Sequence, residues 1–420
     1  MKILLYGLNF TPELTGIGKY NGELVSGVKF RDVDVDVVTA PPYYPEWKIK
    51  QGFSNFWGKN SIDEVMIYRC PLYVPRKVTT FSRLVHLVSF AISSGLRLLT
   101  LVGKRPDIIF LVQPTLFCAP AALIYSRLTG AKSVLHIQDF EVDAMFGLGM
   151  GSKDGSLRKF VRRVESWLMR RFDMVSTISH SMLANAERKG VPQGRLTFFP
   201  NWSDTDFVNP SVSGKALRDE WGIPLDDKVI LYSGNIGAKQ GLEIVLDAAE
   251  IFLTRKGVRF AIVGAGAYLE RLKKAVLDRK LSNVCFRELL PWERVPEMLA
   301  AADVHLVVQK RGAADAVLPS KLTNILSAGG HALVTADPTT ELGKLHGKYS
   351  GIYELVEPEN TEAFVAGLER CLAKDTTKPN MVARQYALDY LNKEQIINRF
   401  VSDLKRLTQE NKVRDDVYET

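Results

Sequence analysis

Lys310, Arg311, Asp315 and Lys321 fall within one stretch, Val307–Ala336. The stretch reads as a buried strand, a polar loop and a helix opening at Ser320, followed by a second strand. A helix start presents unpaired backbone N–H groups and a partial positive charge, so an anion is welcome there. Converging Lys and Arg side chains make this the chemistry of a diphosphate site. The chain holds no Walker loop, no His-Glu-x-x-His and no Gly-x-Ser-x-Gly. Without a motif for splitting a phosphate, the diphosphate is expected to act as a leaving group.

Three further constellations share a strand–loop–helix setting. In Ser233-Gly-Asn-Ile-Gly-Ala-Lys-Gln-Gly, Gly234 and its neighbours free the backbone, and Lys239 is placed to meet phosphate. Ile262-Val-Gly-Ala-Gly-Ala carries Gly264 but only part of the dinucleotide fingerprint, and reads equally as a tight turn. In the segment from Gly7 to Tyr20, Gly16 and Gly18 open a helix at the carboxyl edge of a first strand, where ligands of parallel sheets sit. His136-Ile-Gln-Asp-Phe-Glu-Val-Asp adds carboxylates at another strand end. Asp139 is the one expected to hold an acceptor hydroxyl, and His136 reads as a core residue. Asp32-Val-Asp-Val-Asp contains Asp-x-Asp, but its alternating valines read as a half-buried strand, so no metal site is expected.

The elements that must position these groups alternate. Apolar, β-branched runs at Ile3–Tyr6, Val35–Thr39, Ile108–Val112, Ser133–Ile137 and Met174–Ile178 are each followed by helical spacing. A second series follows Pro200: Val229–Ser233, Phe260–Val263, Val284–Phe286, Val304–Val308, Ala332–Thr335 and Ile352–Leu355. Short apolar strands separated by helices predict an α/β protein with parallel sheets covered on both faces, and two series predict two doubly wound domains. The expected boundaries are 1–205 and 206–380, with a linker over Asn201–Ser213 and a long C-terminal helix over Met381–Leu407.

The net charge of +8 is uneven. Residues 1–205 hold 26 Lys and Arg against 17 Asp and Glu, and the remainder 29 against 30. The excess centres on Leu157–Phe172, where an apolar set at helical spacing is surrounded by cations. This predicts a basic amphipathic helix suited to an anionic membrane surface. Leu84–Gly103 is near spanning length but holds Arg97, and reads as a packed or interfacial helix. Four dispersed cysteines and no cleavage-site pattern make the cytosol the expected compartment. A nucleic-acid binder is an alternative from charge alone, but aromatic-basic interleaving is absent, so no nucleic acid is expected.

Several blocks resemble a known family. Pro12-Glu-Leu-Thr-Gly-Ile-Gly-Lys-Tyr, Ala40-Pro-Pro-Tyr-Tyr-Pro, Leu135-His-Ile-Gln-Asp-Phe-Glu-Val-Asp-Ala-Met and Gln309-Lys-Arg-Gly-Ala-Ala-Asp-Ala-Val-Leu-Pro-Ser-Lys-Leu are similar to the bacterial colanic acid biosynthesis glycosyltransferases, within the retaining family-four enzymes of GT-B architecture. The resemblance implies two Rossmann-like domains facing across a cleft, with the C-terminal helix crossing back to the first. It implies transfer from a nucleoside diphosphate sugar, with GDP-fucose as the guess, to a lipid-linked saccharide at the inner membrane face. Retention, no metal and no cofactor beyond the donor follow from it. The donor would meet Gly234, Asn235, Lys239, Gln240, Gly264, Arg311, Asp315, Ser320, Lys321, Leu322 and Asn324, with Gly16 and Gly18 closing over the sugar. Asp139, Lys239 and Lys321 would form the catalytic set. The family's paired glutamates align with Ala316 and Asn324, and its phosphate-binding Arg and Lys with Asn235 and Gln240. A sugar-nucleotide epimerase of the same architecture is the alternative enzyme.

Overall fold

The computed structural model describes residues 1–420 apart from 14–15, 78, 115, 141–154, 313–317 and 419–420. The chain divides into two compact units, Met1–Pro200 with Ile397–Thr420, and Asn201–Ile396.

The first unit is built on an eight-stranded sheet ordered β3-β4-β2-β1-β5-β6-β7-β8. The strands are β1 (Lys2–Gly7), β2 (Asp34–Thr39), β3 (Gly58–Ile62), β4 (Val65–Arg69), β5 (Ile108–Gln113), β6 (Lys132–Ile137), β7 (Met174–Thr177) and β8 (Leu196–Phe198). All neighbours run parallel except β3 with β4. β5 is buried along its whole length, as a strand covered on both faces must be. The β3–β4 hairpin has no counterpart in the sequence reading. Every residue of Gly58-Lys-Asn-Ser-Ile is exposed, so it shows no apolar alternation. The turn is made by Asp63 and Glu64, both at positive φ, as tight hairpins require. Asp36, from the discounted Asp-x-Asp, lies in β2 and pairs with Lys104 at 3.3 Å.

The expected single helix over Met381–Leu407 is two helices, Met381–Tyr390 and Lys393–Tyr418. The first belongs to the second unit, where Arg384 donates to the carbonyls of Thr205, Val208 and Ser327. The break lies at Leu391–Asn392, where Leu391 O accepts from Ser203 N–H and Asn392 bridges Ser203. From Ile397 the chain joins the first unit. Ile397, Phe400 and Leu404 are buried, and the Phe400 ring stacks on Phe199 with centroids 3.7 Å apart. Gly27 admits this return, since a Cβ there would lie 2.6 Å from Ile397 Cδ1. The stretch expected as a linker is likewise built into the second unit, with Trp202, Ser203, Thr205 and Val208 all buried.

The second unit carries a parallel sheet ordered β11-β10-β9-β12-β13-β14. Its strands are β9 (Lys228–Ser233), β10 (Val258–Val263), β11 (Val284–Arg287), β12 (Val304–Val307), β13 (Ala332–Thr335) and β14 (Glu354–Val356). Alternate residues feed two apolar clusters. Val229, Leu231, Ala261 and Val263 join one, while Ile230, Tyr232, Phe260 and Ile262 join the other. Period-two alternation thus buries both faces of the sheet under helices. Asp303 anchors the base of β12. Burial alone would raise its pKa, but the Val229 N–H, Thr376, Lys228 and Arg218 outweigh burial and hold it below the usual range.

Candidate functional site

In the second unit, β9 ends at Ser233 and the chain turns at Gly234, whose φ is +134°. The penultimate strand residue, Tyr232, does two things. Its hydroxyl donates to Asn235 O at 2.6 Å, closing the turn, and its ring carries Lys321 Nζ 3.7 Å from the centroid. Lys321 reaches this place from the first turn of the Ser320–Ser327 helix. A Cβ on Gly234 would lie 3.3 Å from Lys321 Nζ, so the glycine leaves the amine room. Gly264 packs closer still. A Cβ there would stand 2.0 Å from Gly234 O. The structure therefore brings Gly234, Gly264 and Lys321 together, from three separate strand–helix junctions.

The amine of Lys321 is shielded from solvent and has no hydrogen-bond partner among the described residues. Burial pushes its pKa down to about 7. A desolvated, unpaired ammonium is costly, and an incoming anion relieves that cost. The amine is held in a state that a diphosphate would change.

Other expected donor residues are placed differently. Gln240 Oε1 accepts from Gly237 N–H at 3.1 Å and is spent closing its own loop. Lys239 is exposed, and its carbonyl accepts from Lys310 N–H at 3.0 Å, which ties the loop to the end of β12. Asn235 is exposed beside this loop. Leu322 is fully buried in the core, so only its backbone faces the helix start. Ser320 is exposed at that start. Asn324 Oδ1 accepts from Ser203 Oγ at 2.8 Å, which leaves its amide N–H groups for a ligand. Arg311 is held by carboxylates. Its guanidinium pairs with Glu357 at 2.6 Å and Asp337 at 3.3 Å. Asp315 lies outside the described residues.

In the first unit, Gly16, Gly18 and Asp139 line one pocket of about 210 Å³, together with Glu13, Tyr43, Tyr44, Trp47, Arg83 and His86. Gly16 opens helix α1 (Gly16–Lys29), and Arg83 and His86 lie on α2 (Thr80–Thr100). Glu13, missed by the sequence reading, holds the pocket's loops together. Its carboxylate accepts from Asn9 Nδ2 and from the backbone N–H groups of Tyr43 and Tyr44. Burial raises its pKa despite these bonds. Gly18 must be glycine for the same reason, since a Cβ would lie 2.6 Å from Glu13 Oε2. His136 sits in the core as expected, between Phe110 and Phe199 with Nδ1 2.9 Å from Ser176 Oγ. Burial lowers its pKa to about 3.

The basic segment forms a helix over Ser156–Met169. Glu165, Leu168 and Met169 are buried, and Lys189 pairs with Glu165. Phe160, Val164 and Trp167 remain exposed on the other side, with Arg171 over the Trp167 ring at 3.9 Å. No helix among the described residues is long and apolar enough to cross a membrane.

Residues 15–202 match the glycosyl transferase 4-like domain, and residues 214–388 match glycosyl transferases group 1. The chain belongs to this family of glycosyltransferases, enzymes of the GT-B type. It is 47% identical over 409 residues to WcaI of Escherichia coli (strain K12), which carries the name colanic acid biosynthesis glycosyl transferase; the match covers 96% of this chain and 100% of that protein. It is 25% identical over 332 residues to the glycosyltransferase WbjE of Pseudomonas aeruginosa, covering 75% of this chain and 78% of that one. Among solved structures, sucrose-phosphate synthase from Thermosynechococcus elongatus superposes with a TM-score of 0.75 at 15% identity, covering 98% of this chain and 100% of that chain. At that identity the likeness speaks for the fold alone. These likenesses favour neither the epimerase nor the nucleic-acid alternative.

Proposed function

We propose that this enzyme moves a hexose or deoxyhexose from a nucleoside diphosphate sugar to a lipid-linked saccharide during synthesis of a colanic-acid-like exopolysaccharide. The second unit holds the donor and the first holds the acceptor. As the bond from the sugar to the diphosphate breaks, negative charge gathers on the leaving group while the sugar becomes oxocarbenium-like. Preorganised cations and donors stabilise that charge best where water is excluded. Lys321 supplies the cation, supported by Lys239 and by the backbone around Gly234 and Gly264. Asp139 orients the acceptor hydroxyl. No metal or further cofactor takes part, and the anomeric configuration is retained. The observation that carries this reading is the amine of Lys321, without a hydrogen-bond partner among the described residues and shielded from solvent beside a glycine turn at the carboxyl edge of β9.

The name of the E. coli relative supports the exopolysaccharide setting, and GDP-fucose is the first donor to test. The helix over Ser156–Met169 provides peripheral contact with the anionic inner membrane face, through Phe160, Val164 and Trp167 among its cations. A thermal-shift panel of GDP-, UDP- and ADP-sugars, followed by transfer assays with the best stabiliser, tests the proposal. A sugar nucleotide that stabilises wild type but not Lys321→Ala supports it. Equal stabilisation of both removes Lys321 from the donor site.

A further inference from the structure

The pocket of the first unit carries features that donor chemistry does not use. Tyr43, Trp47 and His86 form an aromatic triad, with ring centroids 4.7 to 5.6 Å apart. Trp47 is held at a φ of +52°, a left-handed conformation that side-chain-bearing residues rarely adopt.

His86 is the second feature. It is 1% exposed, and its Nδ1 lies 2.6 Å from Tyr73 O. A carbonyl only accepts, so Nδ1 carries the proton and Nε2 keeps a lone pair. That Nε2 is shielded from solvent and has no partner among the described residues. Burial lowers the pKa of the ring, which keeps it neutral. A buried acceptor without a donor is an unmet demand, and a ligand hydroxyl meets it.

Arg83 is the third. It lies one turn before His86 on α2, is exposed, and forms no ion pair among the described residues. Two carboxylates line the pocket with it, Glu13 and Asp139, and Glu13 is occupied by Asn9, Tyr43 and Tyr44. The guanidinium at the pocket is therefore available to an anion from outside.

We infer that this pocket binds one pyranose ring that carries an anionic group beside it. The ring stacks against Trp47 and Tyr43, as apolar faces do on aromatic side chains. One of its hydroxyls donates to His86 Nε2, and the anion pairs with Arg83. This names the chemistry of the acceptor and rests on the transferase reading above. The anion has two possible sources: a carboxylate on the sugar itself, or the diphosphate that joins a sugar to its lipid.

Titration calorimetry on the full chain separates them. The probes are methyl glucoside, methyl glucuronide and glucosyl farnesyl diphosphate; the proteins are wild type, Arg83→Gln and Trp47→Gly. Glycine keeps the left-handed backbone of position 47 without strain. At least one anionic probe is expected to bind about tenfold or more tightly than methyl glucoside, and Arg83→Gln to abolish that advantage. Trp47→Gly is expected to weaken every probe about tenfold. Preference for the glucuronide assigns the anion to the sugar, and preference for the diphosphate assigns it to the lipid link. Equal affinity for charged and neutral probes, or a preference that survives Arg83→Gln, overturns the inference. The sugar-nucleotide panel is read separately. Anion-selective binding here with no sugar nucleotide bound would count against the transferase reading alone. Efficient transfer to neutral acceptors, unchanged in Arg83→Gln, would count against this pocket alone.

Discussion

Each candidate site holds a buried polar atom with no hydrogen-bond partner among the described residues, and the two atoms are of opposite kind. In the second unit it is an amine, Lys321 Nζ, resting on the Tyr232 ring. In the first it is a nitrogen lone pair, His86 Nε2, among Tyr43 and Trp47. The amine waits for negative charge, and the lone pair waits for a hydroxyl. Their surroundings differ accordingly. The amine sits where the glycine turns at Gly234 and Gly264 bring backbone close at the strand ends. The lone pair sits among aromatic rings, in a pocket lined also by Arg83, which has no ion pair among the described residues. A leaving diphosphate needs charge stabilisation, and a sugar needs a stacking surface with a few aimed polar atoms.

The contrast can be broken by substitution. Lys321→Ala should cut transfer by about 10²–10³-fold while the circular dichroism spectrum stays unchanged, since truncating a preorganised transition-state donor costs that much. A rate near wild type would end its role. The two crowded glycines come next. Gly264→Ala puts a Cβ 2.0 Å from a backbone carbonyl, which must move. Thermal melting should fall by the equivalent of about 1–3 kcal/mol, and donor-induced stabilisation should vanish. Gly18→Ala clashes with a side chain instead, so KM for the acceptor should rise while donor-induced stabilisation is kept. If both variants lose donor binding, the division of labour between the units is wrong.

The titration of Lys321 sharpens the comparison further. Its amine falls from about 10.5 in the unfolded chain to about 7 in the folded one. Between those values the unfolded chain binds more protons, so stability rises with pH from about 7 to about 10.5. The same contribution is lost as pH falls through about 7. Donor affinity runs the other way. A bound diphosphate draws the proton back onto the amine, so affinity should weaken above pH 7, by up to about tenfold per pH unit. Calorimetry of the donor at pH 6.5–9, a window of about the expected span, should show this slope in wild type and lose it in Lys321→Met. The smallest effect belongs to Arg311→Gln. Exposed, screened ion pairs contribute little, so transfer should change by less than about threefold. A large loss would mean that Arg311 leaves Asp337 and Glu357 when donor binds.

Much of this was legible in the sequence where the signal is local. β1, β2, β5, β6 and most strands of the second unit follow from apolar runs. Gly234, Gly264 and Lys321 stand at strand–loop–helix junctions in the sequence, which place loops at the same sheet edge. The β3–β4 hairpin was not legible, because an exposed polar strand has no apolar face to reveal it. The partners of Arg311 come from residues beyond β13, and no spacing rule links them. His86 and Trp47 lie on different elements, and their meeting is a product of tertiary packing. The break at Leu391–Asn392 was hidden because helical spacing continues through it, while the interruption is imposed by Ser203.

The return of the chain at Ile397 bears on how the protein is made. The ribosome delivers the first unit's sheet early but its closing helix last, after the whole second unit has emerged. Until then Phe199 lacks the ring that covers it, and the groove at Gly27 stays open to water. Early apolar surface of this sort invites chaperones and aggregation during translation. A released chain that stops at Ile396 should hold a finished second unit and an unfinished first, since only the first needs the residues from Ile397 onward.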